Sequence, residues 1–216
     1  MPVRITNSRG IPGTLGCLAR TAHQHHPVFL TSCHVLFAAG ATRYDPVWEV
    51  HESAGLRNYL CLGRALQGKR GIVRYRGEDY FVDCAIGTLD LPIDLNWSLV
   101  PDASAAPKRG DRVWKSGAAT GTTRGVIVDS FYRCSTQAGT ALNSVVHDLA
   151  PRQLLIRSND QQWPFVEEGD SGALIWNEGD APIGLLWGTT VAAEGVACPI
   201  EPVLHTLNIQ LWRIHA

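Results

Sequence analysis

The residues most ready for chemistry are a serine, a histidine and an aspartate that lie far apart in the chain. Ser171 sits in Gly169-Asp170-Ser171-Gly172, between the polar Glu167-Glu168 and an apolar run, Ala173-Leu174-Ile175-Trp176, that reads as a strand. Glycine at 169 and 172 lets the backbone turn tightly, so that amide N–H groups can face a bound carbonyl oxygen. A hydroxyl so placed suits a nucleophile with an oxyanion hole beside it. Turn propensity alone would also produce Gly-Asp-Ser-Gly as a surface turn, so the motif needs partners elsewhere in the chain.

Two partners stand upstream. His34 follows the run Val28-Phe29-Leu30-Thr31-Ser32-Cys33 and precedes Val35-Leu36. Asp83 lies in Tyr80-Phe81-Val82-Asp83-Cys84-Ala85-Ile86-Gly87-Thr88-Leu89. Each has a plainer reading: a histidine at a strand end is commonly a satisfied core residue, and Asp83 could be a turn acid, with Asp90 or Asp94 in its place. The separations are too long for local contact, so a fold must assemble the three. Their order, His then Asp then Ser, and their local motifs resemble the chymotrypsin/trypsin-like serine peptidases, in a bacterial-type branch. The likeness runs from about Leu15 to about Leu207, and Asp-x-Ala-Ile-x-x-Leu at 83–89 favours Asp83 over Asp90, which precedes a Leu-Pro break.

The resemblance implies an all-β fold of two six-stranded antiparallel barrels side by side, with a short C-terminal helix. It implies that Ser171 attacks a peptide carbonyl, that His34 acts as general base, and that Asp83 fixes the imidazole tautomer. The amides of Gly169 and Ser171 would form the oxyanion hole, and Asp170 would support the loop. No Ile-Val-Gly-Gly activation sequence is present, so an internal partner for Asp170 is expected. Counting back from the nucleophile puts Phe165 at the floor of the pocket for the residue before the cut, which argues against a buried carboxylate and Arg/Lys selectivity. Leu186, Trp187 and Gly188 would form the strand that binds substrate backbone. Cys17 and Cys33 lie roughly where secreted relatives carry a bridge, but Cys33 precedes the histidine, whereas in those relatives the cysteine follows it. Two other readings use the same scaffold: a catalytically silent module that grips an extended peptide, and an esterase or other acyl-transfer enzyme.

Composition narrows the partners. The chain has 216 residues and a formal charge of −1, which offers no electrostatic case for nucleic acid or an anionic membrane. No apolar run approaches the ~20 residues that span a bilayer. Residues 1–7 lack an apolar leader core, so a cytoplasmic location with reduced thiols is expected for the six cysteines. No Cys-x-x-Cys pair exists, and His23, His25 and His26 read as solvated turn residues, so neither a metal nor a cofactor is expected. A polypeptide is the expected partner, and nothing sets the oligomeric state.

The elements that must position the three residues follow from pattern. Residues 1–13 read as an arm ending in Gly10-Ile11-Pro12-Gly13. Residues 14–19 and 28–31 read as paired strands, 38–58 as irregular, and 59–66 and 72–75 as strands punctuated by Gly68 and Gly71. Residues 14–100 form the expected first barrel, with His34 and Asp83. The Pro/Ala/Ser-rich stretch 101–110 reads as a linker, and 111–216 as the second barrel, with Ser171. Pro202 is expected in the first turn of a helix ending at Leu207.

Overall fold

The computed structural model describes residues 2–53, 55–90, 97–100, 106–135, 149–160 and 162–214. In chain order the elements are β1 (Val3–Thr6), β2 (Pro12–Leu15), β3 (Cys17–Thr21), β4 (Pro27–Thr31), α1 (Cys33–Phe37), β5 (Pro46–Ser53), β6 (Leu56–Tyr75), β7 (Glu78–Thr88) and β8 (Trp97–Leu99). There follow β9 (Arg112–Gly117), β10 (Gly121–Ser135), β11 (Leu149–Ser158), β12 (Leu174–Asn177), β13 (Pro182–Thr189), β14 (Gly195–Pro199), α2 (Ile200–Leu207) and β15 (Ile209–Ile214).

Among the described residues these strands form two units. The second is a closed six-stranded barrel in the order β10-β11-β14-β13-β12-β9. The first is a nine-stranded sheet, β2-β1-β5-β6-β7-β4-β3-β15-β8, rather than the six-stranded barrel expected. The additional strands come from segments whose pairing is not local. Residues 3–6, expected in an arm, form β1 between β2 and β5. The chain returns from the second unit to lay β15 against β3 of the first. Of the expected linker, residues 101–105 lie outside the described ones.

Strand boundaries differ from the sequence pattern in three further places, each for a packing reason. The stretch 14–19 breaks at Gly16, where a Cβ would collide with the Gly172 carbonyl oxygen. The two strands expected in 56–75 are one, β6, which pairs β5 with its first half and β7 with its second. Gly68 does not interrupt it, because that bare position receives the Phe37 ring and the Cys33 sulfur. The segment 46–53 is strand β5, although its outer residues are exposed on both faces and show no apolar alternation.

Burial explains how β7 can carry a charge inside. All of Phe81–Gly87 is buried, so the strand is covered on both faces. Val82, Cys84 and Ile86 join the core shared with Leu174, Leu185, Trp187 and Val203 of the second unit. Asp83 and Ala85 point the other way, by the two-residue alternation of a strand, and Ala85 meets Val35 and Leu36 of α1. Burying those two α1 side chains contributes about 1.5–3 kcal/mol each and fixes the short helix that carries His34. Pro202 falls in the first turn of α2, as expected, and Asn208 ends that helix in the left-handed conformation.

Candidate active site

Asp83 is fully buried and its carboxylate is fully engaged. The His34 backbone amide donates to Oδ1 at 3.0 Å, and the His34 ring meets Oδ2 through Nδ1 at 3.0 Å. A carboxylate there is acceptor-only, so the Nδ1 proton faces it and Nε2 is left as the ring's acceptor. The histidine side chain is 26% exposed and the aspartate 0%, so the imidazole stands between the sealed acid and solvent. Arg70 Nε also lies 3.0 Å from Oδ2. Asp90, the alternative acid, is exposed and accepts only from the Thr88 hydroxyl among the described contacts, while Asp94 lies outside the described residues.

A seam of hydrogen bonds ties the Ser171 loop to the residues just before His34. The Leu186 carbonyl oxygen accepts from the Ser32 hydroxyl at 2.9 Å and from the Gly172 amide at 2.8 Å. Two donors on one oxygen hold residue 32 of the histidine segment and residue 172 of the serine loop side by side. Thr14 adds a second clasp: its amide donates to the Ser171 carbonyl, its hydroxyl to the Gly169 carbonyl, and its own carbonyl accepts from Thr31. Gly172 has φ +97°, and a Cβ there would strike the Thr31 hydroxyl and the Thr14 carbonyl. The glycine is therefore required by both conformation and space. No direct hydrogen bond joins the imidazole to the Ser171 hydroxyl, a bond that such sites commonly tighten only when a substrate is seated.

The loop's own support is a buried ion pair. Asp170 is sealed from solvent and accepts from the Ala119 and Thr120 amides, the Glu167 amide and the Thr120 hydroxyl. Its Oδ2 lies 3.0 Å from the Lys115 ammonium, which is equally buried and also donates to the Thr120 hydroxyl. Burial by itself raises the Asp170 carboxyl. The Lys115 charge, the Thr120 hydroxyl and the amide donors outweigh it and hold the carboxyl below its usual range. The lysine goes the other way: burial pushes its ammonium down despite Asp170. The carboxylate is the better compensated partner because it collects five donors, whereas the ammonium meets two oxygens. The amides of Gly169 and Ser171 donate to no protein acceptor among the described residues.

The residues expected at a substrate pocket are mostly interior. Phe165 has no exposed surface; Cβ atoms placed at Gly125 and Gly195 would press on its ring. Such a residue can underlie a pocket but not line one. The side chains of Leu186 and Trp187 are buried as well, and the indole donates to Gln153 at 2.7 Å, which in turn donates to the Phe81 carbonyl. Gly188 is half-buried and Thr189 exposed, so β13 reaches the surface only at that end. Beside the loop opens a cleft of about 720 Å³, lined in part by Thr120, Thr122, Arg124, Asp160, Trp163 and Glu167.

Cysteine chemistry is muted at this site. None of the six cysteines forms a disulfide, Cys17 and Cys33 included. Burial, with Asp83 nearby, pushes the Cys33 thiol up to about 12, so a thiol directly beside the histidine stays protonated. His23, His25 and His26 are exposed in the turn between β3 and β4. No group of three or more His, Cys, Asp or Glu among the described residues could hold a metal ion, and no helix among them is long and apolar enough to cross a membrane.

Thr14, Ser32, Arg70, Lys115 and Gln153 were not visible as site residues in the sequence. Each sits in an ordinary strand or turn pattern, and only its partner across the fold gives it a role.

No protein-family model and no curated protein matches the chain. Solved structures do. It is similar to a Nocardiopsis protease at 18% identity and a TM-score of 0.59, over 96% of this chain and 95% of that one. It is similar to a chymotrypsin of Cellulomonas bogoriensis at 16% identity and a TM-score of 0.57, over 96% and 94%. A third is a glutamic acid-specific serine protease described as using a histidine triad in substrate binding, at 14% identity and a TM-score of 0.61, over 96% and 97%. At these identities the likeness establishes the fold, which is chymotrypsin-like.

Proposed function

We propose that this chymotrypsin-like chain is a serine endopeptidase that cuts peptide bonds through an acyl-enzyme on Ser171. The observation that carries the reading is the sealed Asp83 carboxylate. It takes both the His34 amide and Nδ1, which leaves Nε2 as the ring's acceptor, while the Leu186 carbonyl holds the Ser171 loop beside the residues just before His34.

In this reading Ser171 Oγ bonds to the carbonyl carbon as its proton passes to His34 Nε2. The oxyanion is received by the uncommitted amides of Gly169 and Ser171, each such donor being worth about a hundred- to thousandfold in rate. The C–N bond then breaks as Nε2 returns the proton to the leaving amine, and water resolves the acyl-enzyme by the same path. Asp83 keeps the ring in the productive tautomer and stabilises the imidazolium. Lys115 supplies Asp170 with an internal counter-charge, so the loop needs no newly released N-terminus. The substrate is an extended polypeptide that adds its backbone beside the exposed end of β13 at Gly188–Thr189. With the Phe165 ring filling the space beneath, a small or apolar side chain before the scissile bond fits best.

The test is labelling of the full-length, uncut chain by a fluorophosphonate probe, together with peptide turnover. Ser171 is expected to carry the label, and S171A is expected to lose it along with at least about a thousandfold in kcat. A folded, uncut chain that takes no label and turns over no peptide or ester would instead be a silent peptide-binding module. Faster turnover of esters with no peptide cleavage would make it an acyl-transfer enzyme. A peptide-library profile dominated by Arg or Lys before the cut would contradict the pocket reading.

A further inference from the structure

The Asp83 carboxylate serves two partners through one oxygen. Arg70 is the direct cross-strand partner of Asp83 in the β6–β7 ladder, so the two side chains rise from the same face of the sheet. Arg70 Nε and His34 Nδ1 each lie 3.0 Å from Oδ2, which puts the two nitrogens no more than about 6 Å apart. The aspartate is sealed while the arginine side chain is 38% exposed. Thus one negative charge is shared between a permanent cation and a ring that becomes a cation during proton transfer.

Among the described residues, the other titratable groups coupled to this carboxylate are thiols. From α1 comes the Cys33 thiol, which burial and Asp83 keep protonated. Cys84 on β7 and Cys198 on β14 are thiols that burial holds well above their usual range, and Cys198 Sγ accepts from the Asp83 amide. Lys69 precedes Arg70 on β6, and its charge acts on the Cys84 thiol. Among the described residues, Arg70 is the permanent cation in ionic contact with the same oxygen as the imidazole.

We propose that Arg70 is a positioning residue of this site: it orients Oδ2 toward Nδ1 and, by drawing on the same charge, restrains the basicity of His34. Its role in catalysis rests on the endopeptidase reading, but its effect on the imidazole does not. With Arg70 present, the imidazolium receives only part of the carboxylate's attraction and is repelled by the guanidinium. Removing the charge must move His34 protonation to higher pH.

The experiment follows the His34 ring by NMR across a pH titration in the full chain, for wild type, R70K and R70M. The His34 signal is assigned by its loss in a His34→Ala variant. R70M is expected to raise the titration midpoint by about half to one pH unit, a modest shift because the arginine is partly exposed. R70K, which keeps a charge, is expected to stay close to wild type. If R70M does not fold, R70Q replaces it, with the same expected rise. An unchanged midpoint in the neutral variant, or an equal rise in R70K, would overturn the proposal. The pH profile of Ser171 labelling is measured alongside, and its acid limb is expected to move up with the midpoint. If wild type takes no label that S171A abolishes, the endopeptidase reading fails while the titration still decides the role of Arg70.

Discussion

Cys33 sits one residue from His34, and a thiol there would be a competing nucleophile if it ionised. Burial forbids that, holding it at about 12 with Asp83 adding its own repulsion. Iodoacetamide at about pH 8 is therefore expected to leave Cys33 unmodified in the folded chain and to alkylate it after unfolding, as mass spectrometry would show. The Lys115–Asp170 pair makes a stronger demand, because neither side chain has any exposed surface. K115M is expected to destabilise by about 3 kcal/mol, the low end for a broken buried pair, since four other donors still reach Asp170. The pH sign follows from Asp170. Its folded carboxyl lies below the value of 3.8 that the unfolded chain would show, so the unfolded chain binds more protons in that interval. The stabilisation is complete above about 3.8 and is lost as pH falls through the folded value. Urea midpoints taken from about pH 6 to about pH 3 should fall more steeply in wild type than in the neutral pair K115M/D170N.

At the scale of elements, the site depends on how closely the serine loop approaches β2 and β4. Gly172 is the tightest point, at φ +97° against Thr31 and the Thr14 carbonyl. G172A carries about 1–2 kcal/mol of left-handed backbone strain and must also push the loop off the histidine segment. A displacement near 1 Å costs about a hundredfold in rate, so kcat/KM is expected to fall by at least that much. The same variant should lose only a few kcal/mol of stability in a denaturant titration. G40A is the control: Gly40 also has positive φ (+82°), but its Cβ would meet nothing. It should show the strain without the loss of rate.

For the whole molecule, the two units are held together by a core they share and by a strand that crosses between them. Residues of β7, β13, β14 and α2 meet in one cluster, and β15 carries the chain back onto β3. Ile209 and Leu211 of β15 are 5% and 4% exposed. Removing residues from Asn208 onward therefore loses about 1.5–3 kcal/mol for each of those side chains and bares the edge of β3. Such a truncation is expected to melt early and broadly by circular dichroism, and to lower labelling of Ser171 although residue 171 itself is untouched.

The amino-acid sequence by itself determined the strand-rich character of the chain, the Gly-Asp-Ser-Gly turn, and the three candidate residues in their order. It also determined the α2 helix. These are local: they depend on side-chain type, on glycine at a turn and on short-range patterning. The tertiary structure alone decided that β1 and β15 complete the first sheet, that β6 runs unbroken through Gly68, and that Phe165 belongs to the interior. It also decided which groups face the candidates: Lys115 for Asp170, Thr14 for the serine loop, and Arg70 for Asp83. Each of those partners is an ordinary strand residue, and its meaning comes from ladder register and burial, which sum over contacts between residues distant in the chain.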